Sequence, residues 1–178
     1  MAVALRAEGP LAGGDMNIKR MLRHLIVPTW YTRRVFPQAA LQTITDQIKL
    51  CESTHGGEIR VAIEAELSAN ALLKDQSPRD RAMEVFASLR IWDTDNRNGV
   101  LIYLCLADRA IEIVADRGLN GKITSEEWQR IANGLQTLCA QEQYQLALCS
   151  AIQDASVLLA KYFPSVDRNE LPDSPVLL

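Results

Sequence analysis

The spacing of apolar residues changes period several times along this chain, and each change marks an element. After Pro37, Leu41, Ile44, Ile48 and Cys51 recur at helical spacing to about Ser53. His55-Gly56-Gly57 then stops the helix. From 58 to 67 the period falls to two. Ile59, Val61, Ile63, Ala65 and Leu67 share one side, and Glu58, Arg60, Glu64 and Glu66 share the other, with Ala62 among them. That alternation predicts a half-exposed strand near a sheet edge. Ser77-Pro78-Arg79-Asp80 opens the next helix with an N-cap serine, a proline at the first helical position and an acid that closes a capping box. Ala82, Val85, Phe86 and Leu89 form its buried stripe.

Residues 99–106 are apolar without a break, as a central strand covered on both faces must be. Ala107-Asp108-Arg109 is too short for a crossover, so 110–115 returns antiparallel as a hairpin. Thr124-Ser125-Glu126-Glu127 is a second capping box, and Trp128, Ile131, Leu135 and Leu138 give its helix one apolar face. A last helix runs from about Tyr144 to Tyr162 with Leu148, Ile152, Ala155 and Leu159 inward, and Pro164 ends it. The order is α-β-α-β-β-α-α. A right-handed crossover joins the first two strands. The fold class is therefore α/β: a three-layer α/β/α sandwich with a small mixed sheet. Val100, Ile102, Leu104, Ile111, Ile113, Phe86, Leu89, Ile131 and Leu135 are the expected core.

Four segments follow from this reading. Residues 1–16 form a disordered leader without a structural role, residues 17–36 a basic-aromatic arm, 37–163 the folded domain, and 164–178 a flexible proline-bearing tail. The arm combines Arg20, Arg23, Arg33 and Arg34 with Leu22, Leu25, Ile26, Trp30 and Tyr31, and Pro28 divides it. It reads either as an amphipathic piece packed on the domain or as a surface-seeking segment for anionic lipid or an acidic partner.

Composition narrows the function classes. The chain has 178 residues and a net charge of −3, which gives no overall basic footprint for nucleic acid. No apolar run reaches the ~18 residues that span a bilayer. The amino end lacks the apolar core of a signal peptide, so a cytoplasmic location is expected. Cys51, Cys105, Cys139 and Cys149 fall in no zinc-binding spacing and read as free thiols in a reducing compartment. There is no GxSxG, phosphate-binding loop, HExxH or dinucleotide fingerprint.

The stretch NGVLIYLCLADRAIEIVADRGL, flanked by GEIRVAIEAEL and ITSEEWQRI, resembles the TPM domain, and the likeness spans about residues 37–163. The resemblance implies an α/β/α fold. In some members it implies calcium or magnesium in an acidic cleft at the strand ends. A phosphatase activity is associated with a plant member, and others act as accessories to membrane proteins. It places the family's cleft near the Asp108-Arg109 turn, the Gly118-Leu119-Asn120-Gly121 stretch and the Thr124-Ser125-Glu126 cap. Asn120 and Ser125 stand where the family often carries carboxylates. Hard divalent cations need several anionic oxygens, so metal affinity is expected to be weak.

The residues themselves point to the other end of the hairpin for any ion. Asp93, Asp95 and Asn98 form an oxygen-rich turn that lacks the closing glutamate of a calcium loop. A hairpin returns its chain to its starting end, so Asp116, with Arg117 beside it and Gly118, joins that turn, while Asp108 and Arg109 lie opposite. Asp93, Asp95, Asn98 and Asp116 are the candidate ligands for calcium or magnesium. Arg117 makes a salt-bridge network the competing account of the same cluster. His55, at a helix end, reads as a cation favoured by the helix dipole. Two functions remain: a non-enzymatic accessory or interaction module with a protein partner through residues 17–36, or a divalent-metal-dependent phosphatase. Oligomeric state is not legible.

Overall fold

The protein is described by a computed structural model covering residues 3–6, 16–165 and 169–178. Its elements are β1 (Val3–Arg6), α1 (Met16–Ile26), α2 (Thr29–Val35), α3 (Gln38–Glu52), β2 (Glu58–Glu64), α4 (Ala69–Leu73), α5 (Pro78–Ser88), β3 (Gly99–Cys105), β4 (Ala110–Ala115), α6 (Ser125–Ala140), α7 (Tyr144–Tyr162) and β5 (Val176–Leu177). The sheet order is β1-β4-β3-β2-β5. β2 and β3 are parallel, and β3 and β4 antiparallel with Ile102 opposite Ile113, as the short turn requires. Helices cover both faces. On one, α3, α6 and α7 pack Ile44, Ile48, Trp128, Ile131, Leu148 and Ile152 against Ile59, Val61, Ile102 and Ile113. On the other, α4 and α5 place Leu72, Ala82, Val85 and Phe86 over Ala62, Leu101, Tyr103 and Val114.

The helix starts follow local chemistry. The Ser77 hydroxyl accepts from Asp80 N and donates to the Asp80 carboxylate. Thr124 and Glu127 form a reciprocal box, Thr124 N donating to Glu127 Oε2 and Glu127 N to Thr124 Oγ1. The expected core is buried throughout except at Leu89, which caps α5 and is only half-buried.

Four expectations are corrected. Within the supposed leader, Val3–Arg6 pairs antiparallel with β4; the rest of residues 1–15 lies outside the described residues. The supposed flexible tail is docked: Val176–Leu177 pairs with β2, and Leu171 is buried. β2 is consequently buried along its whole length. Of the polar positions that alternation assigned to solvent, Glu58 and Arg60 bond to that carboxyl-terminal segment, and Glu64 bonds to Arg81 and Tyr103. Glu58 accepts from Glu170 N and Leu171 N, both at 3.1 Å, and Arg60 Nη1 donates to Ser174 O at 3.1 Å. Finally, His55 is buried, and its Nδ1 accepts from Gly57 N at 3.0 Å. Burial holds its pKa below the ordinary value despite the opposing Gly57 contact, so it is a neutral turn-forming residue and not a dipole-stabilised cation.

Candidate functional site

At the amino end of the parallel strands, the 94–98 turn meets the segment that leaves β4. Asn98 N donates to Thr94 Oγ1, and Asn98 Nδ2 to Gly56 O. Asp116 N donates to Gly99 O at 2.9 Å, and Gly118 N to Arg97 O at 2.8 Å. A Cβ on Gly118 would lie 2.4 Å from Asn96 O and 2.5 Å from Arg97 O. The glycine is needed for close approach of two backbones. Asp116 caps the single-turn helix Arg117–Leu119 by accepting from Arg117 N at 2.7 Å. Asn98 Oδ1 and Asp116 Oδ2 are buried without a hydrogen-bond partner. The structure thus brings Asn98, Asp116 and Gly118 to one rim. Asp93 and Asp95 sit on the same turn with exposed side chains, and Asp95 N donates to the Glu170 carboxylate. Among the described residues, no group of three or more His, Cys, Asp or Glu is placed to hold a metal ion.

The three stretches implied by the resemblance do not assemble as one cleft. Asn120, Gly121, Thr124 and Ser125 line a hollow of 240 Å³ with Ala115 and Trp128, beside the Asp116 rim. Asp108 and Arg109 lie in the β3–β4 turn, at the opposite end of the hairpin. Arg109 adopts φ 51° there.

Asp108 is nevertheless the centre of a buried ionic arrangement. Its side chain is 6% exposed. Arg20 Nε donates to Oδ1 at 3.0 Å and Nη2 to Oδ2 at 2.8 Å, a bidentate fork. Arg20 also reaches Asp75 Oδ1 at 3.2 Å and Gln76 O at 2.7 Å. His24 Nδ1 accepts from Leu67 N at 2.9 Å, so Nε2 carries the proton, 3.0 Å from Asp108 Oδ1. That last approach is close without the alignment of a good hydrogen bond. Burial alone would raise the Asp108 pKa. The His24 and Arg20 contacts outweigh it and hold the carboxyl at about 2.

A neighbouring buried pair escaped sequence reasoning. Glu64 accepts a second bidentate fork from Arg81, at 2.8 to 3.1 Å, and a hydrogen bond from Tyr103 Oη. Burial pushes the Tyr103 phenol far above its ordinary pKa. Tyr103 was the available signal: a hydroxyl in an otherwise apolar strand requires a buried partner. Glu64, Ser68, Lys74, Asp75, Asp80 and Glu84 line a cleft of 410 Å³ there, at the carboxyl ends of the parallel strands. The four thiols are free. Burial pushes Cys105 and Cys139 up to about 12, which makes them poor nucleophiles.

The fold is an α/β/α sandwich whose sheet joins three parallel strands, β3, β2 and β5, to the antiparallel β3–β4 hairpin. The TPM domain model matches residues 32–157, and the chain belongs to the TPM domain family. The NMR structure of BA42 protein from the psychrophilic bacterium Bizionia argentinensis is similar, with 33% identity and a TM-score of 0.67 over 79% of this chain and 93% of that one. No curated protein matches. No helix among the described residues is long and apolar enough to cross a membrane.

Proposed function

We propose that the protein is a non-enzymatic accessory or interaction module that makes contact through residues 17–36. The orientation of α1 carries this reading. Its polar side chains Arg20 and His24 face inward to Asp108, and Met21 packs on the core behind them. Its apolar residues Ile18, Leu22, Leu25 and Ile26 face solvent, with Leu25 77% exposed, and Trp30 of the following helix α2 is also exposed. A helix that turns Arg20 and His24 inward and its isoleucines and leucines outward departs from the usual arrangement, and an exposed apolar patch of this kind supports an interaction surface. Sedimentation of native cell extracts tests it. The wild-type chain should migrate with a larger assembly or with membranes, and a Leu22→Glu/Leu25→Glu variant as the free chain. Identical migration of the two refutes the reading.

A second reading, a divalent-metal-dependent phosphatase, draws on the buried, unpartnered Asn98 Oδ1 and Asp116 Oδ2 at one rim. Calcium or magnesium ordinarily takes six or more oxygens, and these two would be part of such a set. The exposed Asp93 and Asp95 side chains are the remaining donors on that turn. Calorimetric titration with both ions checks this. A signal lost in Asp116→Asn favours the metal reading, and no heat with either ion removes it.

A further inference from the structure

The exposed apolar residues are unevenly distributed. Of the twelve large hydrophobic side chains exposed among the described residues, seven belong to α1, α2 and the carboxyl-terminal pair: Ile18, Leu22, Leu25, Ile26, Trp30, Leu177 and Leu178. Trp30 and Arg33 share a surface hollow with Leu177 and Leu178, so α2 and the carboxyl-terminal strand meet on one surface. On α1, at about 100° per residue, the apolar side chains occupy a sector some 100° wide, and Lys19 and Arg23 border it. Residues 16–45 contain Lys19, Arg20, Arg23, Arg33 and Arg34 and no Asp or Glu, in a chain whose net charge is −3. Arg20 is consumed by Asp108 and Asp75, but Lys19, Arg23, Arg33 and Arg34 are all exposed.

We infer that this face lies in the interfacial layer of an anionic lipid bilayer, with Leu22, Leu25, Ile26 and Trp30 inserted and Lys19, Arg23, Arg33 and Arg34 at the headgroups. The inference rests on the reading of the arm as the contact surface and names what it contacts. Charge complementarity selects the occupant. An apolar stripe bordered by cations, with a tryptophan at its end, matches a planar, negatively charged, apolar-cored layer. The stripe is a convex helix surface, so it needs a deformable medium more than a preformed groove. The Arg20–Asp108 fork supplies what a free amphipathic peptide lacks: α1 is already folded and its rotation is set, so insertion carries little ordering cost.

Vesicle flotation with the purified full-length chain tests this. The probes are phosphatidylcholine vesicles alone and vesicles with about one third phosphatidylglycerol, a charge density at which each surface Lys or Arg contributes on the order of fivefold in partition. The chain should float with the anionic vesicles at low salt, be released at high salt, and stay behind with the neutral ones. Leu22→Glu/Leu25→Glu should reduce partition at least tenfold, and Arg23→Gln/Arg33→Gln by a salt-sensitive factor of comparable size. Leu146→Glu/Val157→Glu, a change of equally exposed apolar residues on α7, should leave it unaltered. Circular dichroism confirms that each variant is folded. Equal binding to neutral vesicles, or no flotation with either, overturns the inference. If flotation is absent and the wild-type chain forms a dimer that Leu25→Glu dissociates, the occupant is a second copy and the arm remains the contact surface. If sedimentation of extracts also shows no difference between wild type and variant, both readings fall.

Discussion

Replacing Asp108 by Asn should release α1 from the domain. The substitution keeps the size of the side chain and one acceptor oxygen but removes the charge that Arg20 and His24 share. The Asp108 carboxyl is held at about 2 against an ordinary 3.8. At about 1.4 kcal/mol per tenfold change in proton affinity, the ionised form contributes on the order of 2 kcal/mol. The sign follows from the direction. A depressed carboxyl pKa gives stability that is fully present above the unfolded value and is lost as pH falls through the folded one, here between about pH 5 and 2. Arg20 retains Asp75 and Gln76, so the fork is weakened without leaving the guanidinium bare. The loss should fall on α1, because both partners of Asp108, Arg20 and His24, stand on that helix, and a peripheral helix opens before the whole fold does. Amide hydrogen exchange read by mass spectrometry is therefore the assay. At pH 7 the amides of α1 should exchange some ten- to thirtyfold faster in the variant than in the wild type, with those of β3 unchanged. Limited proteolysis between residues 16 and 36 should accelerate alongside, and the two proteins should converge only as the pH falls to about 2, through the folded pKa of Asp108. Equal protection of α1 at pH 7 would refute the latch, and acceleration spread evenly over the sheet would show that Asp108 supports the whole fold.

Other expectations follow from the same geometry. Ile102→Ala, at the centre of the sheet between Val61 and Ile113, should cost about 2–5 kcal/mol in urea unfolding, and a loss under about 1 kcal/mol would mean that the strand relaxes around the gap. Gly118→Ala puts a methyl 2.4 Å from Asn96 O, so the 94–98 turn must separate from the end of β4, at about 1–3 kcal/mol by the same measurement. Burial pushes Glu52 up to about 9 against the Ile59 N–H it accepts at 2.7 Å, with the Glu58 charge adding to the rise. A raised carboxyl pKa gives stability present below about 4.5 and lost as pH climbs through 9, so Glu52→Gln should gain on the wild type in melting temperature between pH 6 and 9. A constant difference across that range would place the Glu52 proton elsewhere.

The parts of this fold that depend on neighbours in sequence were legible, and those that depend on distant closure were not. Three residues cannot carry a crossover, so the antiparallel return of 110–115 followed from Ala107-Asp108-Arg109 alone. The caps at Ser77 and Thr124 are written in four consecutive residues each. By contrast, alternation in β2 indicated one wet face. That inference fails because residues 169–178 return more than a hundred positions later to supply hydrogen bonds to Glu58 and Arg60. Arg20 and Asp108 are 88 residues apart, and nothing local to either marks the pairing. The Asn98, Asp116 and Gly118 rim was predictable because hairpin connectivity determines it. The separation of Asp108 from Asn120 and Ser125 follows from that same connectivity and overrides the single cleft that resemblance implied.

The outermost strands carry a practical consequence for anyone cutting this chain to its family boundaries. β1 and β5 both lie outside residues 32–157, and each occupies an edge of the sheet. A fragment trimmed to the matched region would keep β4-β3-β2 and bare the backbone of β4 along one side and of β2 along the other. Such fragments would present two unpaired rows of N–H and C=O groups, the geometry by which sheets recruit one another into aggregates. A fragment that keeps residues 3–6 and 169–178 should therefore aggregate less than one cut to residues 32–157.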